Sequence, residues 1–126
     1  MIFYDFEVFK EDWLAVFIDV TRKKEYVIIN NPDELKALYE ANSKDIWVGY
    51  NNRHYDQYIM KGILLGMNPK RINDWIIVEG REGWQFSSAF NKIPMINYDV
   101  MPNPPVGLKT LEGFLGSNIK ETDVDF

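Results

Sequence analysis

Three apolar stretches occupy the first thirty residues of this chain, and only short polar links separate them. They cover residues 1–9, 13–20 and 25–30, and each is rich in β-branched or aromatic side chains, which is typical of β-strands. Strands joined by so few residues must run antiparallel, because a parallel pair needs a long crossover connection. The sequence therefore predicts that the chain begins as a three-stranded antiparallel meander.

The hydrophobic period changes directly after the third stretch. Asn31 is a suitable N-cap, and Leu35, Leu38 and Tyr39 then recur at the three- and four-residue spacing of one helix face. This pattern predicts a helix from residue 32 to about 41. A short apolar strand at 45–50 follows, and because a helix precedes it, we expect it to lie parallel to the first strand.

The rest of the chain predicts more helices and one more strand. The helices are expected at residues 55–65, 69–78 and 107–116, and a fifth strand at 93–98. Three antiparallel strands followed by helix, strand, helix and strand is the order of the ribonuclease H-like fold. We therefore expect an α/β protein with a mixed sheet, antiparallel over its first three strands and parallel beyond them, flanked by helices.

Composition narrows the possible functions without choosing one. The 126 residues suit a single domain, and no apolar run is long enough to cross a bilayer, so we expect no membrane association. The net charge of −5, from 14 basic and 19 acidic residues, argues against binding nucleic acid by bulk electrostatics. It does not argue against a nuclease, because metal ions held by carboxylates reverse the local field. The absence of cysteine fits a reducing compartment.

The first strand carries two carboxylates in an otherwise apolar stretch. Asp5 and Glu7 are two residues apart, so on a strand their side chains point to the same face. Two like charges on a buried face are costly unless cations neutralise them, and a divalent metal ion would do so. The alternative is an edge strand whose acidic face is in water. The two residues alone leave both interpretations open.

A second polar cluster follows the predicted fourth strand. It runs Gly49-Tyr-Asn-Asn-Arg-His-Tyr-Asp56 and lies where a parallel strand passes into a helix, a common ligand position in open sheets. Asp56 would then face Asp5 and Glu7, and three carboxylates suit Mg²⁺ or Mn²⁺. The simpler alternatives are a helix-dipole role for Asp56, a turn role for Asn51 and solvent exposure for His54.

Together these motifs resemble the proofreading 3′–5′ exonuclease domains of DNA polymerases, in the DEDD (DnaQ-like) superfamily. The family's Asp-x-Glu motif is matched by Asp5-Phe6-Glu7, and its Gly-Tyr-Asn-x-x-x-(Phe/Tyr)-Asp motif by residues 49–56. A Leu-Lys-x-Leu-x-x-x-Leu-Gly stretch is similar to residues 108–116. The family's third motif, Tyr or His followed four residues later by Asp, has no counterpart after Gly116. The resemblance therefore implies that residues 1–126 are the N-terminal portion of an exonuclease domain in a longer, phage-type polymerase.

The resemblance also implies a reaction, a site and partners. The reaction is two-metal hydrolysis of phosphodiester bonds at single-stranded DNA 3′ ends, with two Mg²⁺ or Mn²⁺ ions. The implied partners are the DNA 3′ end and the polymerase domain of the parent chain, in a bacterial cytoplasm. The implied metal ligands and catalytic residues are Asp5, Glu7 and Asp56, and the implied substrate-binding residues are Phe6, Asn51, Tyr55 and Lys109.

Two other functions stay open on the sequence alone. The acidic balance and the missing third motif are compatible with a non-catalytic module of the same fold that docks DNA or a polymerase body. A different nuclease on the ribonuclease H-like fold, acting on an RNA–DNA hybrid, is the other alternative.

Overall fold

The computed structural model describes residues 1–100, which form five strands in one sheet with helices packed on it. The strands are β1 (Ile2–Val8), β2 (Trp13–Asp19), β3 (Lys24–Ile29), β4 (Ile46–Gly49) and β5 (Ile96–Asp99). The helices are α1 (Pro32–Ala41), α2 (Asp56–Leu64) and α3 (Pro69–Asn73).

The sheet has the strand order β3-β2-β1-β4-β5, with β1 in the centre. β1 pairs antiparallel with β2, and β2 pairs antiparallel with β3. On its other side β1 pairs parallel with β4, through Ile2 with Trp47 and Phe3 with Val48, and β4 pairs parallel with β5. The predicted α/β class, the antiparallel meander and the parallel fourth strand are confirmed.

Helix α1 begins as its sequence predicts. The side chain of Asn31 accepts a hydrogen bond from the backbone N–H of Glu34 at 3.1 Å, which satisfies one of the unpaired amides of the first turn. Pro32 occupies the first turn, where a missing N–H costs nothing. Leu35 and Tyr39 are buried, so the apolar stripe of this helix packs on the sheet.

The chain between α2 and β5 departs from the predicted pattern. The helix expected over residues 69–78 changes type: α3 ends at Asn73, and Asp74–Val78 continues as a π-helical turn. Two short 3₁₀ turns, Gly83–Gln85 and Ser88–Lys92, follow in a stretch for which no helix or strand was predicted. β5 covers Ile96–Asp99 rather than residues 93–98. The helix predicted at 107–116 lies outside the described residues.

One face of the sheet forms the hydrophobic core with all three helices. The strands contribute to it Ile2, Tyr4, Phe6, Trp13, Ala15, Phe17, Ile28 and Trp47, and the helices contribute Leu35, Tyr39, Ile59, Met60, Ile63 and Ile72. The aromatic rings meet edge to face, for example Phe17 with Phe6 at 5.8 Å and with Trp47 at 6.3 Å between centroids. We call this side the core face.

The other face, which we call the open face, carries the residues that alternate with the core side chains. By the strand registers it consists of Phe3, Asp5 and Glu7 on β1, Leu14, Val16 and Ile18 on β2, Glu25, Val27 and Ile29 on β3, Ile46 and Val48 on β4, and Ile96 and Tyr98 on β5. Much of it is exposed: Ile29 is 61 % exposed, Ile96 56 % and Tyr98 65 %. None of its residues belongs to the hydrophobic cluster under the described helices.

Within residues 1–100, the structure has no helix long and apolar enough to span a membrane.

Candidate functional site

The two acids of β1 lie on the open face, next to each other along one strand. Asp5 is opposite Val16 and Glu7 is opposite Leu14 across the antiparallel pair with β2. Both acids are partly exposed, unlike their neighbours Tyr4 and Phe6, which point to the core face. The predicted shared face of Asp5 and Glu7 is therefore present, and it is reachable from solvent.

The acid of the second cluster contacts the same strand through its backbone. Asp56 begins α2 and is 4 % exposed, and its Oδ2 accepts a hydrogen bond from the backbone N–H of Phe6 at 2.8 Å. Because β4 ends at Gly49, this N–H lies beyond the β1–β4 pairing and needs another acceptor. A buried bond to a charged acceptor contributes about 1.5–3 kcal/mol. The second acidic motif therefore supplies, through Asp56, the acceptor for a backbone N–H of the strand that carries the first motif.

The turn between β4 and α2 requires its glycine. A Cβ on Gly49 would lie 2.9 Å from the carbonyl oxygen of Tyr4 and 3.0 Å from the Cβ of Asn52, closer than such atoms pack. Asn51 then adopts a φ of 58°, the left-handed region that asparagine tolerates better than most residues. The Asn51 N–H donates to Oδ1 of Asp99, at the end of β5, at 3.0 Å. The backbone path that leads to Asp56 is therefore held by both neighbouring strands.

A buried polar network that was not predicted above lies behind this turn. Asn52 is fully buried, and its Nδ2 lies 3.2 Å from Oδ1 of Asn97 and 3.4 Å from the hydroxyl oxygen of Tyr4. The Tyr4 hydroxyl donates to the same Asn97 Oδ1 at 2.6 Å. Burial, and then the nearby charge of Asp56, raise the pKa of Tyr4 well above its usual value, so this hydroxyl keeps its proton. Three elements, β1, β5 and the turn after β4, are joined at this network.

The network continues from Asn97 to helix α2. Asn97 Nδ2 donates to Oε1 of Gln57 at 3.2 Å, and Lys61 Nζ donates to the same oxygen at 3.0 Å. Burial lowers the pKa of Lys61. One buried acceptor, Oδ1 of Asn52, has no hydrogen-bond partner among residues 1–100. The sequence signal for this network is Asn97, a polar residue that the side-chain alternation of β5 places on the core face.

The substrate-binding residues implied by the resemblance fall in different surroundings. Tyr55 is half-buried, and its hydroxyl donates to Oδ1 of Asn73, at the end of α3, at 2.6 Å. Asn51 is exposed on the turn. Phe6 is a correction: its ring is 3 % exposed and packs against Tyr4, Trp13 and Phe17, so only its backbone reaches the site. Lys109 lies outside the described residues.

The three acids differ in how they lie relative to β1. Asp5 and Glu7 project from the open face, whereas Asp56 approaches the edge of the strand from the helix side. Carboxylate oxygens are the donors that Mg²⁺ and Mn²⁺ prefer. Within residues 1–100, no three His, Cys, Asp or Glu side chains are grouped closely enough to hold a metal ion. Asp5, Glu7 and Asp56 therefore all lie on or against β1, but they do not form a ready-made metal-binding cluster there.

Comparison with known proteins found no match to this chain among family models, curated proteins or solved structures.

Proposed function

We propose that this chain is part of a metal-dependent 3′–5′ exonuclease domain that hydrolyses phosphodiester bonds at the 3′ ends of single-stranded DNA. The observation that supports this most is the 2.8 Å hydrogen bond from the Phe6 N–H to Oδ2 of Asp56. It joins the Asp5-x-Glu7 strand to a residue fifty positions away, and these are the two segments whose sequences resemble the exonuclease motifs. The sheet order and strand directions are compatible with a ribonuclease H-like arrangement.

In this proposal each acid has a distinct part. Asp5 and Glu7 present carboxylates to solvent on the open face, where incoming ions and DNA can reach them. Asp56 binds the strand backbone through Oδ2 and is the third proposed metal ligand. Two Mg²⁺ or Mn²⁺ ions, when bound, would activate water and stabilise the charge that develops on the phosphate. Of the three acids, Asp5 is the one whose removal is expected to weaken metal binding most.

Two neighbouring groups would orient the terminal nucleotide. Tyr55 lies next to Asp56 in the chain and is fixed by Asn73, so its position does not depend on DNA. Asn51 is exposed beside it and carries amide donors and acceptors for a sugar or base. Lys109 is a proposed phosphate-binding residue because its segment resembles the Leu-Lys-x-Leu stretch of the exonuclease family. Stacking of a base on the Tyr55 ring would accept any base, because every base has a π face.

The test is release of nucleotides from a 3′-labelled single-stranded oligonucleotide in the presence of Mn²⁺. The full 126-residue chain and a version extended along its parent gene should be compared. We expect release that is abolished by Asp5→Asn and unchanged by Asp33→Asn, an exposed acid on α1 that serves as the matched control. Release unaffected by Asp5→Asn, or none from the extended protein, would refute the proposal. Faster cleavage of an RNA–DNA hybrid would instead favour a ribonuclease H type of activity.

A second function, a non-catalytic docking module, is favoured by one observation. The open face exposes large apolar side chains, including Ile29, Ile96 and Tyr98, and exposed apolar patches often mark protein-binding surfaces. In this case the polymerase domain would be the partner, and the acids would hold no ion. Calorimetry with Mn²⁺ separates the two: a saturable site lost in Asp56→Ala supports the nuclease, and no heat of binding supports the docking module.

A further inference from the structure

We propose that a cleft between the β1–β2 turn and the start of α3 binds the single strand just upstream of its 3′-terminal nucleotide. The cleft has a volume of about 370 Å³, which is in the range of small-ligand sites. Phe9, Lys10 and Trp13 line it on one side, and Asn68, Pro69 and Lys70 on the other. This inference rests on the function proposed above and adds a binding site to it.

Hydrogen bonds within the protein hold both walls of the cleft in place without a ligand. The Phe9 N–H donates to the carbonyl oxygen of Asp12 at 2.7 Å, which closes the turn. Asn30 fastens the turn to β3, since its Nδ2 donates to Oδ1 of Asp12 at 2.7 Å and its Oδ1 accepts from the Trp13 N–H at 2.8 Å. On the other wall, Oδ1 of Asn68 accepts from the Lys70 N–H at 2.9 Å. A cleft with fixed walls loses little conformational entropy on binding.

Two independent connections link the cleft to the candidate acids, one along the chain and one through a hydrogen bond. Along the chain, Glu7 is three residues before Lys10, and three residues span at most about 11 Å. In the second connection, the Tyr55 hydroxyl is bonded to Asn73, which is three residues after Lys70 on the same helix. Residues three apart lie on one helix face, separated by about 4.5 Å of rise. Each lysine is therefore three residues from a group that belongs to the proposed site or is bonded to it.

The lining suits a nucleotide better than a simple anion. The lining contains two lysines, Lys10 and Lys70, and two acids, Glu11 and Asp12, so the cleft has no net positive charge that would attract anions in general. Lys70 Nζ lies 2.9 Å from Oδ1 of Asp74, and an ammonium group has two more N–H donors to offer a phosphate. The half-buried ring of Phe9 supplies an apolar surface. Lysine together with an aromatic ring is the usual means of holding single strands without reading their sequence.

The experiment measures binding of a fluorescent oligothymidine by the 126-residue chain in EDTA, at several salt concentrations. Each phosphate contact on a single strand contributes about 0.7 to the slope of log K against log salt. We expect Lys10→Gln and Lys70→Gln each to weaken binding severalfold and to reduce that slope by about 0.7. The matched control is Lys44→Gln, an exposed lysine just before β4 at the opposite end of the sheet, which should change neither value.

Three results would overturn the cleft assignment. In the first, the parent chain shows no measurable binding. In the second, the Lys10→Gln/Lys70→Gln double variant binds with the same affinity and salt slope as the parent. In the third, polyglutamate displaces the fluorescent oligothymidine as well as unlabelled oligothymidine does. Failure of the nuclease proposal looks different, because EDTA removes the metal from this assay. Lysine-dependent binding by an extended protein that never releases nucleotides would support the cleft and refute the nuclease.

Discussion

Alternate residues of β1 serve different purposes, as a comparison of the two faces of the sheet makes plain. On the core face, Ile2, Tyr4 and Phe6 are at most 3 % exposed and pack against aromatic rings from β2 and β4. On the open face, Asp5 and Glu7 are partly exposed, opposite Val16 and Leu14 of β2. A single strand thus supplies both the centre of the core and the candidate catalytic acids, and the strand period of two keeps them apart.

The difference between the two faces of the sheet also explains how the candidate site can be both rigid and charged. The cost of holding Asp5 and Glu7 side by side is reduced by solvent on the open face. The rigidity comes from the core face, where the rings of Phe6, Phe17 and Trp47 fix the backbone of β1. Substitutions on the core face should therefore change stability, and substitutions of the open-face acids should change metal binding.

The largest effect is expected at Phe17, which is fully buried between Phe6 and Trp47. Phe17→Ala removes a ring from a packed core and should lower the free energy of unfolding by about 3–5 kcal/mol. Urea unfolding followed by circular dichroism measures this. The matched open-face change is Ile29→Ala, at a residue that is 61 % exposed, which should cost less than about 0.5 kcal/mol. Equal losses in the two variants would mean that the open face is covered as well.

The next effect concerns Asp56, a candidate catalytic residue whose carboxylate also accepts a buried hydrogen bond from β1. Asp56→Ala leaves the Phe6 N–H buried without an acceptor, and should cost about 2–3 kcal/mol of unfolding free energy. Asp56→Asn keeps an oxygen for that N–H and should cost clearly less, while losing Mn²⁺ affinity to a similar extent. Chemical denaturation and Mn²⁺ calorimetry on both variants separate the two roles. Equal stability of the two variants would show that the hydrogen bond contributes nothing.

Much of this arrangement could be predicted from local sequence. The short links between the first three strands require antiparallel pairing, and the helix before β4 favours a parallel one. The side-chain alternation of β1 placed Asp5 and Glu7 together. The same alternation puts the ring of Phe6 on the opposite face, in the core, where it is 3 % exposed.

Other features depend on contacts that local patterns do not report. Asn52 and Asn97 are 45 residues apart, and neither differs in type from an ordinary turn or strand-end asparagine. The change from α3 to a π-helical turn at Asp74 leaves the hydrophobic spacing nearly unaltered, so no period analysis separates them. The cleft beside Lys10 and Lys70 joins a turn to a helix about sixty residues later, and it exists only in the folded chain.

A smaller effect is expected at Asn52, the buried centre of the polar network. Asn52→Ala removes donors to Asn97 and Tyr4 but also removes the acceptor that has no partner, so the two changes partly offset each other. We expect a loss of about 1 kcal/mol. Asn52→Asp should be worse, because it places a charge in a buried site near Asp56. Thermal unfolding of both variants checks the order, and an Asp variant as stable as the Ala variant would contradict it.

The smallest effect concerns Asp19, the buried acid at the other end of the β1–β2 pair. The backbone N–H of Arg22, and to a lesser extent its guanidinium, hold the pKa of Asp19 below its usual 3.8. A carboxyl whose pKa is lower in the folded state stabilises the fold above pH 3.8, and this contribution is lost as the pH falls through the folded pKa. Asp19→Asn should therefore melt below the parent at neutral pH, and the gap should close in acid. Arg22→Gln keeps the backbone N–H, whose bond to Oδ1 is 3.0 Å, and so should retain most of the pH dependence. If Arg22→Gln behaves like Asp19→Asn, the guanidinium is the dominant partner, and the stability at this end of the core face comes from an ion pair.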